Sequence, residues 1–220
     1  MNRLQAVIFD MDGVIIDSEP IHYKVNQELY KKMEIEITED EYNGFIGISN
    51  SDHWSYLKEK HSLVEDIEDL VARQNKGNIE HLKASDQEAI PGVVSLLEEL
   101  KDKGVKIGLA SSSSLEYIKA VTEKFAIKDY FLVMVSGENM DRGKPYPDIF
   151  LHAADKLNVD VANCVVIEDS KNGIKAARTA GMKCIGFINP NSGNQDMTLA
   201  DTMVDSMEKI TIGMLKGLFV

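Results

Sequence analysis

Five short apolar runs punctuate this chain: AVIF before Asp10, VKIGLA before Ser111, FLVMV before Ser136, CVVI before Glu168 and CIGFI before Asn189. Each stops abruptly at polar residues. Unbroken apolar runs of this length read as strands buried on both faces. Helical patterns with recognisable ends lie between them. PGVVSLLEELKDKG opens on Pro91 and closes on Gly104, YPDIFLHAADKLN carries a proline at its start, and SKNGIKAARTAG closes on Gly181. Strands alternating with helices predict βαβ units, and so an α/β core: a Rossmann-like, doubly wound parallel sheet covered on both faces.

The alternation breaks once. From about Asp17 to about Ser85 the chain carries the helical patterns HYKVNQELYKKM, SDHWSYLKEKH and VEDIEDLVARQNKGNIEHL, with no buried strand among them. That interval far exceeds an ordinary strand-to-helix connection. The expectation is a helical domain, residues 17–84, inserted into a core made of residues 1–16 and 85–220. A length of 220 residues with 44% hydrophobic content accommodates both. Lysine and arginine number 24 against 36 acidic residues, a formal charge of −12, which opposes unspecific attraction to nucleic acid or anionic membrane surfaces. Small-molecule chemistry is the better expectation. The first residues lack a secretory apolar region, and no apolar run approaches the roughly 18–20 residues of a membrane span. A soluble, cytoplasmic, monomeric protein is expected. Cys164 and Cys184 sit within apolar runs and read as small buried hydrophobes rather than a disulfide.

In an open parallel sheet the residues just past the carboxyl ends of the strands converge on one crevice. The strand ends here deliver Asp10 and Asp12, then Ser111 with Ser112, Ser113 and Ser114, then Glu168 and Asp169, while DRGKPYPD supplies Lys144. Carboxylates, hydroxyls and one lysine suit a hard cation together with a phosphate. Taken singly, each has a plainer reading. DMDG can be a turn, LASSSS a helix cap and Lys144 a solvated lysine.

Four segments, DMDGVIIDS, LASSSS, GKPYPD and IEDSKNGIKAARTAGM, resemble in order the four signature motifs of the haloacid dehalogenase superfamily. The helical insertion resembles that family's small α-helical cap. Within the family, the chain is similar to the β-phosphoglucomutase-like and sugar-phosphate phosphatase branch. The resemblance implies a nucleophile at Asp10, a general acid and base at Asp12, and phosphate binding by Ser111, Ser112 and Lys144. It also implies Mg²⁺ held by Asp10, the backbone carbonyl of Asp12 and Asp169, with Glu168 in support. The chemistry agrees with those roles. An aspartate attacks phosphorus only when the phosphoryl charge is screened, and a neighbouring acid can protonate the departing alcohol.

The resemblance also has a gap. β-Phosphoglucomutases carry a cap arginine after a G-[V/I]-S turn to hold the second phosphate of their substrate, and FIGISNSDHW places Asn50 there. A later mutase lysine is matched by Gln74, with Arg73 and Lys76 as neighbours that can compensate. An amide cannot neutralise a phosphate dianion as a guanidinium does. These departures favour hydrolysis of a small phosphomonoester, a sugar phosphate, over phosphohexomutase activity. A non-catalytic phosphometabolite-binding domain is the reading from another class, and haloalkanoate dehalogenation does not call for the Asp12 acid. His22 is read as either a surface residue of the first cap helix or a hydrogen-bonding group at the cap entrance, where related mutases carry a histidine. Trp54 and Tyr56 are expected in the cap core, Gly173 in close helix-to-sheet packing. His53, His61, His81 and His152 show no metal-ligand spacing and are assigned no role.

Overall fold

The first strand, β1 (Ala6–Phe9), is buried along its whole length. Successive side chains leave a strand on opposite faces. Val7 and Phe9 accordingly enter one apolar cluster, Ala6 and Ile8 the other. A strand flanked by two cores has no polar face to show, which is why the sequence reads there as an unbroken apolar run. The computed structural model describes residues 3–45, 48–138 and 140–220.

Six parallel strands form one sheet: β1, β2 (Lys106–Ser111), β3 (Val133–Ser136), β4 (Cys164–Glu168), β5 (Lys183–Phe187) and β6 (Thr202–Val204), in the order β3-β2-β1-β4-β5-β6. Strand order reverses at β1, so the crevice of such a sheet opens just beyond Phe9. One face is covered by α5 (Val93–Asp102) and α6 (Leu115–Lys124) through Leu96, Leu97, Leu100, Ile118 and Val121. The other is covered by α7 (Asp148–Leu157) and α8 (Lys171–Thr179) through Ile149, Phe150, Ala153, Ile174 and Ala177. Cys164 and Cys184 are free thiols buried in β4 and β5.

Between β1 and α5 lie four helices: α1 (Glu19–Lys32), α2 (Glu39–Asn43), α3 (Asn50–His61) and α4 (Ile67–Ala84). Side-chain caps fix three of their starts, Thr38 accepting from the Glu41 amide, Ser49 from that of Asp52 and Asp66 from that of Glu68. α4 packs against α1, α3 and the core helix α6, so Val25, Leu29, Trp54, Leu57 and Leu70 join the same cluster that backs β1. A short helix, α9 (Ile212–Gly217), closes the chain.

Two expectations need correction. The edge strand β6 escapes a search for apolar runs because it is three residues, TMV, with Met203 facing outward. Tyr56 is 48% exposed. The buried stripe of α3 runs through His53, Trp54 and Leu57, and Tyr56 rides its edge against Phe45. Gly173 lies in close packing of α8 against the end of β4, as expected, where an added Cβ would overlap the Glu168 side chain. Among the described residues no helix is long and apolar enough to cross a membrane.

Candidate active site

Beyond Phe9 the chain is pinned by apolar side chains while its acids turn outward. Met11, Val14, Ile15 and Ile16 are fully buried, and the Met11 carbonyl accepts from the amides of Ile15 (2.8 Å) and Ile16 (3.1 Å). Asp10 and Asp12 flank Met11 and both line the crevice. The turn requires Gly13, whose φ is +75° and whose missing Cβ leaves room for the Asp169 carboxylate.

Lys144 lies between two acids, its Nζ 2.6 Å from Asp10 Oδ1 and 2.6 Å from Glu168 Oε1, with all three side chains buried. Burial alone would lower the lysine, but Asp10 and Glu168 hold its ammonium above the ordinary lysine range. Burial pushes the Asp10 carboxyl up, against the pull of Lys144. Asp169 is likewise pushed well up, by burial and then by Glu168 and Asp10, although Ser192 donates a hydrogen bond to it.

Asp10, Glu168 and Asp169 each offer an oxygen, all within 4.8 Å of one another. Three buried carboxylates face a single ammonium, so the cluster is short of positive charge. An all-oxygen, buried, electron-rich donor set of this kind fits a divalent cation.

Asp12 is held differently. Ser18 donates to its Oδ1 at 2.6 Å, while Ser113 and Ser111 donate to its Oδ2 at 2.7 and 3.1 Å. Within SSSS the work is divided. Ser114 caps α6, accepting from the Tyr117 amide, and Ser112 and Ser113 line the crevice. Ser111 is fully buried behind them, turned to Asp12 and outside the crevice lining. His22 lies on α1 with Nε2 3.8 Å from Asp12 Oδ1 and its ring against Tyr117. Asn50 also lines the crevice, its amide donating to Asn75 Oδ1 at 3.1 Å. Gln74 accepts from Trp54 Nε1 (2.8 Å) and donates to Asn26 Oδ1 (2.7 Å), while Arg73 and Lys76 are exposed outside the crevice. Gly47 of the FIGISN turn lies outside the described residues.

The family model described as haloacid dehalogenase-like hydrolase matches residues 7–187, which span every residue of this cluster. The chain belongs to the haloacid dehalogenase-like hydrolases. It is similar to β-phosphoglucomutase of Bacillus subtilis, 33% identical over 96% of this chain and 94% of that protein. It is also similar to hexitol phosphatase B of Escherichia coli K12, 31% identical over 98% of each. The crystal structure of a Clostridium difficile β-phosphoglucomutase superposes with a TM-score of 0.85 at 29% identity, covering 98% of this chain and 97% of that one. In this haloacid dehalogenase-like chain the crevice at the reversal point of the sheet is thus also where the family motifs meet.

Three holding contacts were not legible in the sequence. Ser18 and Ser113 hold Asp12, and Ser192 holds Asp169. Ser192 belongs to NPNSGNQ, directly after β5, where Asn189 also donates to the Gly13 carbonyl at 3.0 Å. The convergence of strand ends points to that segment too. Gly173 also shapes the site, because a Cβ there would overlap the Glu168 carboxylate. Ser170 donates to Glu168 Oε2 from its amide (2.7 Å) and hydroxyl (2.9 Å), so the carboxylate has no free direction in which to retreat. Gly173→Ala is expected to cost about 1–3 kcal/mol of stability by overpacking and to lower turnover by about 10²-fold through misplacement of Glu168 and Lys144. Urea melts and phosphate-release assays on the pair check this, and a fully active, equally stable variant would refute it.

Proposed function

We propose that this chain is a Mg²⁺-dependent phosphatase that hydrolyses a small phosphomonoester, a sugar phosphate, as a monomer and through an aspartyl-phosphate on Asp10. Residues 17–84 act as the cap over a core of residues 1–16 and 85–220. Asp10, Glu168, Asp169 and the Asp12 carbonyl would hold the Mg²⁺. Bound there, the cation would supply positive charge against the phosphoryl oxygens and the clustered carboxylates.

The chain's own groups carry the rest. Lys144 and Ser112, which line the crevice, bind the phosphoryl group and screen its charge, Ser111 acts from behind them through Asp12, and Lys144 also orients Asp10. Asp10 attacks phosphorus, forming an O–P bond as the bond to the ester oxygen breaks. Asp12, protonated, gives its proton to the departing alcohol and is left as the carboxylate. It then takes a proton from water, whose oxygen attacks phosphorus and releases phosphate with the Asp10 carboxylate restored. Ser18, Ser111 and Ser113 keep Asp12 in one rotamer for both transfers. The similarity to hexitol phosphatase B supports this reading.

Hydrolysis rather than phosphoryl return to a sugar rests on one observation. Among the described residues, the cap side of the crevice carries no lysine or arginine: Asn50 is bonded to Asn75, and Gln74 is bonded within the cap. A mutase must hold a bisphosphate at both ends, and neutral amides do not hold a dianion. With β-glucose 1-phosphate, Mg²⁺ and catalytic glucose 1,6-bisphosphate, phosphorus NMR is expected to show inorganic phosphate accumulating without efficient formation of glucose 6-phosphate. Rapid, near-stoichiometric isomerisation would put the mutase reading, which the similarity to β-phosphoglucomutase also supports, in its place.

A further inference from the structure

Among the described residues, the cap side of the crevice holds two carboxylates that the reaction does not use, Asp17 and Glu19. Glu19, the first residue of α1, lines the crevice beside His22. Its Oε1 accepts from the Tyr42 hydroxyl at 2.8 Å, which fixes the carboxylate in place, and Oε2 accepts from no described residue. Burial raises the Glu19 carboxyl above its ordinary range, with His22 pulling the other way. Nearby, Asp17 Oδ1 is buried without a hydrogen-bond partner among the described residues, and Asp17 lines the same crevice.

The remaining cap-side groups offer no opposing charge. Asn26, Ser49 and Asn50 are neutral donors and acceptors. His53 is bonded to the Tyr30 hydroxyl, and burial lowers it to about 4, so at neutral pH it is an uncharged imidazole. Phe45 and Ile48 complete the wall.

Resting on the phosphatase reading, we propose that Glu19 makes this wall a filter that accepts the neutral, polyhydroxylated end of a phosphomonoester and turns away a second anionic group. The chemistry is one of protons and charge. Sugar and polyol hydroxyls can each donate to a fixed carboxylate, whereas a carboxylate or phosphate dianion has no proton to donate and meets like charge in a partly desolvated place. Like charges brought together at a binding surface select strongly against the wrong ligand. Tyr42 is a positioning residue for Glu19, and Asp17 adds to the same field from the crevice neck.

Sorbitol 6-phosphate and 6-phosphogluconate are matched open-chain probes, since they differ only in a terminal hydroxymethyl against a carboxylate. The wild-type enzyme with Mg²⁺ is expected to show kcat/KM at least about tenfold higher for sorbitol 6-phosphate. In Glu19→Gln that ratio should shrink several-fold, chiefly through a lower KM for 6-phosphogluconate. Calorimetric binding of both probes to Asp10→Asn protein separates the two readings. If no phosphate is released from either probe but sorbitol 6-phosphate still binds at least about tenfold more tightly, the phosphatase reading fails and the filter stands. Equal wild-type preference, binding of neither probe, or an unchanged ratio in a folded Glu19→Gln enzyme overturns the filter.

Discussion

Asp10→Asn is expected to fold like the parent and to release phosphate more slowly by about 10³-fold or more. The amide is nearly isosteric with the carboxylate, and Lys144 keeps its 2.6 Å contact to Glu168 when Asp10 is neutral. Folding should not suffer. Burial already disfavours the charged form of Asp10, so a neutral side chain removes an unfavourable charge from the metal-free protein. The proposed reaction loses its nucleophile, because an amide offers no anionic oxygen to phosphorus. Circular dichroism and thermal melts should match the parent while phosphate release disappears. A folded variant with full turnover would remove Asp10 from the chemistry.

The second large effect is expected on metal removal. Chelation should stop phosphate release and Mg²⁺ should restore it, since Asp10, Glu168 and Asp169 otherwise stand against Lys144 alone. Asp169→Ala removes one of the oxygens proposed to hold Mg²⁺ and should weaken its binding, measured by calorimetry, by at least about 10–100-fold, the loss seen even for outer-shell changes. Mg²⁺ should also raise the melting temperature of the wild type more than that of the variant, because a ligand that binds only the folded state stabilises it. Undiminished hydrolysis in excess chelator would exclude the proposed metal role.

Much of the architecture is written locally. β1, β2, β4 and β5 are buried on both faces, so each is largely apolar, and the polar residues that end them, acids after β1 and β4 and serines after β2, stand out by contrast. Once the strands are known to be parallel, Asp10, Lys144, Glu168 and Asp169 are drawn to one place by topology, although the first and last are more than 150 residues apart. Other features depend on partners distant in sequence. Ser113 rather than Ser112 meets Asp12 because of how the chain leaves β2, and no serine in SSSS differs from its neighbours in composition. Gly173 faces Glu168 across the turn into α8, an encounter that periodicity cannot reveal. Tyr56 carries an apolar ring, yet its place on α3 leaves that ring in solvent. His53 shows no ligand spacing and takes its place in the cavity wall through its bond to Tyr30.

The helices placed between β1 and β2 bear on the order in which the molecule assembles. Ala6 pairs with Lys106, a hundred residues later, whereas Val165 pairs with Lys183 after only eighteen. Loop closure grows with the logarithm of length, so a tenfold longer loop costs about 2 kcal/mol more. Local helical contacts and the β4–β5 unit are therefore expected to form early, and the two seams of the central strand, β1–β2 and the still longer-range β1–β4, where Ala6 meets Cys164, are expected to close late. That strand is where Asp10 emerges. The mutually repelling carboxylates of the crevice would then be brought together near the end of folding, when most of the surrounding protein is already present to hold them.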